Sequence, residues 1–219
     1  LMEAAANSTT ITAAELSGYN GFAKTMQAYE LSLAANLQFN NGIRTDVSDI
    51  DNLGPFQDYN SALTSIGTLL NEALTDINNA GGDFAFSLSD AMAGFDTPSS
   101  FATFNRALAA RVALYLGDKS GAINHLGGSF MDMAAGPDLG PKRFYSAAGG
   151  DFANNLFRVP NQADAIIAHP SYVNDAEAGD ARLAKVQLRA SGALALDDLS
   201  GEYDVSVSYT HLRAHETKA

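Results

Sequence analysis

The chain has 219 residues, 46% of them hydrophobic, and sets 13 Lys and Arg against 25 Asp and Glu for a formal net charge of −12. That apolar content suffices for a packed core, while the few scattered cations exclude a surface that tracks a phosphate backbone or settles on an anionic membrane, so no nucleic acid is expected as partner. Cys and Trp are both absent, which removes disulfides, thiolate metal sites and Cys nucleophiles, and no apolar run approaches the ~18 residues of a membrane-spanning helix.

No secretory signal is visible, and an opening on Leu1-Met2-Glu3 within polar sequence reads as an internal piece of a longer protein. Residues 1–14 carry no stripe and predict a loop. From Glu15 to about Phe39 the positions Leu16, Tyr19, Phe22, Ala23, Met26, Tyr29, Leu33 and Leu37 recur at helical spacing, which predicts a long helix with that face in the core. Asn40-Asn41-Gly42 stops it, and residues 42–57 read as a loop. A second long helix is predicted from about Phe56 or Gln57 to Asn78, with Tyr59, Leu63, Ile66, Leu70, Ala73 and Ile77 inward. Asn79 to Gly82 end it, and the alternation in DFAFSL predicts an extended segment.

Pro98 opens a helical hairpin, capped by Thr97 or Ser99. Phe101, Phe104, Leu108, Val112 and Tyr115 form its first stripe, Gly117-Asp118 the break, and Ala122, Ile123, Leu126 and Phe130 its second stripe. This hairpin resembles one unit of a tetratricopeptide (TPR) repeat. Residues 134–165 are rich in Gly, Pro and Asn and read as a long irregular connection. Residues 166–188 predict a Pro turn, a short helix around 174–178 and a strand at 183–189. The end, SYTHLRAHETKA, continues no pattern; it resembles a translated sequencing-adapter read-through and is assigned no role.

Four segments in order carry a wider resemblance: GYNGFAKTMQAYELSLAANLQF, DYNSALTSIGTLLNEALTDI, RALAARVALYLGDKSGAI and AHPSYVNDAEAGDARLAKV. In this order and spacing, over roughly residues 15–190, they resemble the SusD/RagB family of bacterial outer-membrane nutrient-binding lipoproteins. The resemblance implies a mainly α fold, a TPR-like α-α superhelix with long irregular loops. Residues 1–205 would be a partial SusD-like helical-repeat domain and 206–219 a non-native tail. It implies a protein on the extracellular face of the outer membrane, held by a lipid anchor missing from this fragment. That protein would pass an oligosaccharide or other nutrient to a SusC-like TonB-dependent transporter.

The residues offer little catalytic chemistry. No HExxH, GxSxG, Walker or dinucleotide motif occurs, and the lone His125 and His169 read as surface or capping residues, so neither an enzyme nor a cofactor is expected. Asp46, Asp49, Asp51 and Asp58 form an acidic loop that could attract calcium but lacks EF-hand spacing; helix capping is the other reading. Arg111, within an apolar helix, predicts a salt bridge between helices, and Asp180 with Arg182 a local cap and ion pair. Sugar sites pair an aromatic face with planar amide or guanidinium donors. Phe144, Tyr145, Phe152, Asn154, Asn155, Phe157 and Arg158 supply that mixture and are the candidate ligand residues. A TPR-type protein–protein adaptor is the alternative function, expected to show repeats of about 34 residues with short turns. An α/α-barrel glycan-degrading enzyme would need two facing carboxylates, and no acidic pair stands out.

Overall fold

A computed structural model describes residues 6–49, 51–134, 139–145, 158, 161–196, 199–205 and 211–212. The fold is mainly α. Among the described residues there are five α-helices, α1 (Ala13–Gln38), α2 (Tyr59–Asn78), α3 (Pro98–Tyr115), α4 (Lys119–Gly127) and α5 (Ser171–Asn174), with one short antiparallel strand pair between α1 and α2 and the others formed largely by chain after α5. The chain divides into two units, Leu1–Pro141 and Lys142–Ala219.

In the first unit each helix begins where its side chains can satisfy free amide groups. Thr12 and Glu15 form a reciprocal capping box on α1, with Thr12 N–H donating to Glu15 Oε2 at 2.8 Å. Asp58 caps α2 through Ser61 N–H at 3.0 Å, so this helix starts at Tyr59 and leaves Phe56 and Gln57 outside it, as extended chain. Thr97 caps α3 with Pro98 in its first turn, and Asp118 caps α4 through Gly121 N–H at 2.8 Å. Consecutive helices pack on one another: α1 on α2, α2 on α3, α3 on α4. The core they share gathers Ala28 and Ala35 from α1, Ala62, Leu63, Ile66 and Leu70 from α2, and Leu108, Ala109 and Val112 from α3.

Three expected faces differ from those observed. The buried face of α1 is Gly18, Gly21, Thr25, Ala28, Ser32 and Ala35, whereas Leu33 and Leu37 are exposed. Tyr115 is 43% exposed at the end of α3. In α4 only Ala122 is buried, and Ile123 and Leu126 lie outside the core because this short helix meets a neighbour, α3, on one side. The alternation in DFAFSL does sort its side chains, since Phe84 and Phe86 are half-buried against Phe22, with Phe84 also 5.7 Å from Phe101. It forms no ladder, however: residues 81–89 are bends and coil.

In the second unit, α5 lies at 171–174, and a 3₁₀ turn, Ala181–Lys185, precedes strand β4 (Val186–Leu188). The predicted strand therefore begins only after that turn. β4 pairs with β7 (Tyr203–Val205), and β5 (Leu194–Leu196) with β6 (Leu199–Gly201). Arg189 and Asp204 make an ion pair buried to 4% and 3% side-chain exposure. Asn161 N–H and the Gln162 carbonyl take up remaining polar capacity of the pair. Among the described residues, no helix of the chain is long and apolar enough to cross a membrane.

Candidate functional site

The C-terminal end of α1 is where the described structure gathers the aromatic, amide and guanidinium groups that a sugar site requires. Phe39 ends the helix with φ 43, a conformation rare for a bulky residue, and its ring packs 4.8 Å from Tyr59. A 3₁₀ turn, Phe39–Asn41, follows, then Gly42 at φ 72. Gly42 is obligatory: a Cβ there would lie 2.4 Å from the Gln57 carbonyl oxygen. This close approach allows strand β1 (Ile43–Arg44) to pair with β2 (Phe56–Gln57), setting Ile43 opposite Gln57 and Arg44 opposite Phe56.

Cross-strand partners share a face, and the Arg44 guanidinium sits 4.5 Å above the centre of the Phe56 ring. Arg44 is held in place by donating to the carbonyls of Leu53 (3.2 Å) and Gly54 (2.5 Å). Phe56 remains 66% exposed. With Gln38 and Asn41, whose amides meet at 3.4 Å, Arg44 and Phe56 line a concavity of about 570 Å³. Chemically this is a ring for C–H stacking beside planar donors and acceptors for hydroxyls.

The acidic loop beneath it is used locally. Asp46 Oδ1 accepts the N–H and hydroxyl of Ser48, which hold its carboxyl below the usual range. Asp49 accepts from Asp51 N–H, and Asp58 caps α2. Among the described residues no three His, Asp or Glu side chains gather as a metal site.

The sequence-derived ligand residues fall elsewhere. Phe144 lies in the two-residue strand β3 (Arg143–Phe144), paired with β8 (His211–Leu212); Tyr145 is half-buried; Arg158 stands 3.5 Å from Asp164. Phe152, Asn154, Asn155 and Phe157 lie outside the described residues. His169 Nδ1 accepts from Ser171 N–H and contacts its hydroxyl at 2.8 Å, at the start of α5. Asp180 caps the 3₁₀ turn and grips Arg182 through both oxygens. Those side-chain and backbone bonds draw its carboxyl down to about 2.

The arginine buried among the helices is Arg106, not Arg111, which is half-buried. Its partners are neutral: Asn105 Oδ1, the Leu70 carbonyl, Asn71 Oδ1 and His125 Nδ1. Sequence reasoning passed over Phe56 by beginning α2 at about Phe56 or Gln57, and over Arg44, Gln38 and Asn41 because the β1–β2 pairing brings them to Phe56. The signal was available in Asp58-x-x-Ser61, a cap that excludes Phe56 from the helix. No protein-family model, curated protein or solved structure matches the chain.

Proposed function

We propose that this chain is part of a bacterial cell-surface nutrient-binding protein of the SusD/RagB type. Its helices would form a TPR-like superhelix that presents a glycan or other nutrient to a SusC-like TonB-dependent transporter in the outer membrane. The complete protein would be lipid-anchored on the extracellular face. Its role is binding rather than catalysis.

The observation that carries this reading is the platform at residues 38–44 and 56. An exposed aromatic ring, a guanidinium and two amides stand together on a loop between packed helices, the pairing that saccharide recognition uses. The segments that resemble the family add support, since DYNSALTSIGTLLNEALTDI covers α2 and RALAARVALYLGD runs from the middle of α3 through the break to Asp118. An adaptor of the TPR type would join its helices by short turns. The connections here, 39–58 and 79–97, are long, and the first carries the platform.

The test uses the complete gene product. Protease accessibility on intact cells should place it at the surface, and affinity capture should bring down a TonB-dependent receptor. A glycan array should show saccharide binding that Phe56→Ala weakens. A cytosolic protein with no lipidation signal upstream overturns the proposal.

A further inference from the structure

The β1–β2 ribbon has a second side. Arg44 and Phe56, with Ile43, line the concavity described above, while Thr45, just beyond β1, and Gln57 line a separate groove. This groove, about 450 Å³, runs between α1, α2 and residues 45–48. Leu31 of α1 with Ile66 and Leu69 of α2 give it an apolar floor, and Gln27, Ser65 and Thr68 stand on its walls.

Its one cation is already engaged. Lys24 Nζ lies 2.9 Å from Asp76 Oδ2 and 3.5 Å from Glu72 Oε2, the closer contact being an ion pair off the hydrogen-bond direction. Burial opposes the ammonium charge, but the two carboxylates outweigh it and hold Lys24 above its ordinary value. Asp46 is taken up by Ser48. With the one cation taken, the donors that remain are neutral. Gln57 Oε1 accepts the hydroxyls of Thr45 and Ser65, both at 3.0 Å. That fixes the amide plane and leaves the Nε2 donors without a protein acceptor among the described residues.

We infer that this groove is a second binding site, for a neutral polyhydroxylated ligand, a short stretch of saccharide. The C–H face of a sugar ring rests on Leu31 and Leu69, and its hydroxyls meet the Gln57 amide, Ser65 and Thr68. An anionic ligand would meet the Asp46 and Glu72 carboxylates with the Lys24 charge already taken. A purely apolar one would strip water from the Gln57 donors without replacing it. The inference rests on the nutrient-binding reading for its choice of probes.

The experiment titrates maltohexaose, cellohexaose and xylohexaose into the full chain. An oligogalacturonate and penta-alanine are the charged and peptide comparisons. Calorimetry gives affinity, and the methyl resonances of Leu31 and Leu69 report location. A neutral hexasaccharide should shift those methyls, and Gln57→Leu should weaken its binding about tenfold or more. Gln27→Leu on the facing wall should weaken it in the same direction, and stands in if Gln57→Leu does not fold. If a saccharide binds, leaves both methyls unmoved and is abolished by Phe56→Ala alone, the groove is overturned while the nutrient-binding reading stands. Preferential seating of the peptide or the acidic sugar in the groove overturns the ligand class. No saccharide binding at millimolar concentration overturns the groove, while the nutrient-binding reading stands or falls with the surface and receptor tests above.

Discussion

Arg106 is 9% exposed and has no carboxylate partner among the described residues, yet each of its five N–H groups finds an acceptor. Asn105, fully buried, is the organiser. Its Oδ1 takes two of those donors, and its own Nδ2 donates to Thr25 Oγ1 (2.9 Å) and the Leu70 carbonyl (3.1 Å), so one residue ties α1, α2 and α3. Asn105→Ala strands a buried guanidinium and should cost about 3 kcal/mol or more in a denaturant titration. Adding Arg106→Met should recover part of that loss, and a strictly additive double mutant would refute the coupling. His125 makes the network sensitive to pH. It can accept from Arg106 only with Nδ1 unprotonated. Burial, and then the Arg106 charge, lower its pKa against a smaller opposing pull from Asp118. A depressed folded value means that the unfolded chain binds the proton more readily. The contribution is thus full above the unfolded histidine range near pH 6.5 and is lost as pH falls through the folded value. The urea midpoint should drop between pH 7.5 and 5.5, and drop less in His125→Gln. The sequence reading named Arg111 on the apolar helix, whereas the buried arginine is Arg106. Arg106 is drawn inward by Asn105, one turn on from Phe101 on the buried stripe, and a polar residue on that stripe is invisible to a hydrophobicity pattern.

At the level of the element, α1 and α2 show when periodicity tells the truth. The face of α2 was legible because its inward residues are large: Leu63, Ile66, Leu70 and Ile77 are essentially inaccessible. On α1 the same logic chose the large residues, but the contact belongs to small ones. At Gly21 an added Cβ would lie 2.6 Å from Ile77 Cγ1 and 2.8 Å from the Ile77 backbone nitrogen. The helices therefore approach almost backbone to backbone, and bulk is pushed to the flanks, where Tyr19 and Phe22 meet Phe86. Gly21→Ala should destabilise by about 2 kcal/mol or more, because a backbone atom cannot yield as a side chain can. Gly67, inside α2, is the opposite case: its nearest would-be neighbour is Val112 Cγ1 at 3.8 Å, an ordinary contact. Gly67→Ala should raise stability by about 0.5–1 kcal/mol by removing a flexible residue from a helix interior. Thermal melts of the two variants, shifting in opposite directions, test the packing directly.

For the whole chain, the two units differ in what holds them. The first has a continuous apolar core drawn from three helices. In the second, Ala165 is the buried apolar residue among those described, and the fully buried polar pair is Arg189 and Asp204. The helical half was legible because long amphipathic elements announce themselves. Of the short strands β4 fell within an expected one, at 183–189, but the pairings were not legible, because two- and three-residue ladders are fixed by turns and by one ion pair rather than by alternation. The platform was missed for a related reason: it depends on Gly42 letting two loop ends meet, a tertiary event. This division makes a prediction about the chain as a whole. Asp204→Asn leaves the Arg189 charge buried opposite a neutral amide, a change of the kind that costs about 3–5 kcal/mol. The loss should be confined to Lys142–Ala219. Hydrogen exchange should then quicken in β4 and β7 while Leu63, Ile66 and Leu70 on α2 keep their protection. A fragment of residues 1–141 should melt cooperatively and carry the Gly67→Ala gain undiminished. If Asp204→Asn instead loosens α2 as much as β7, the two units unfold as one, and the core of the first half does not stand alone.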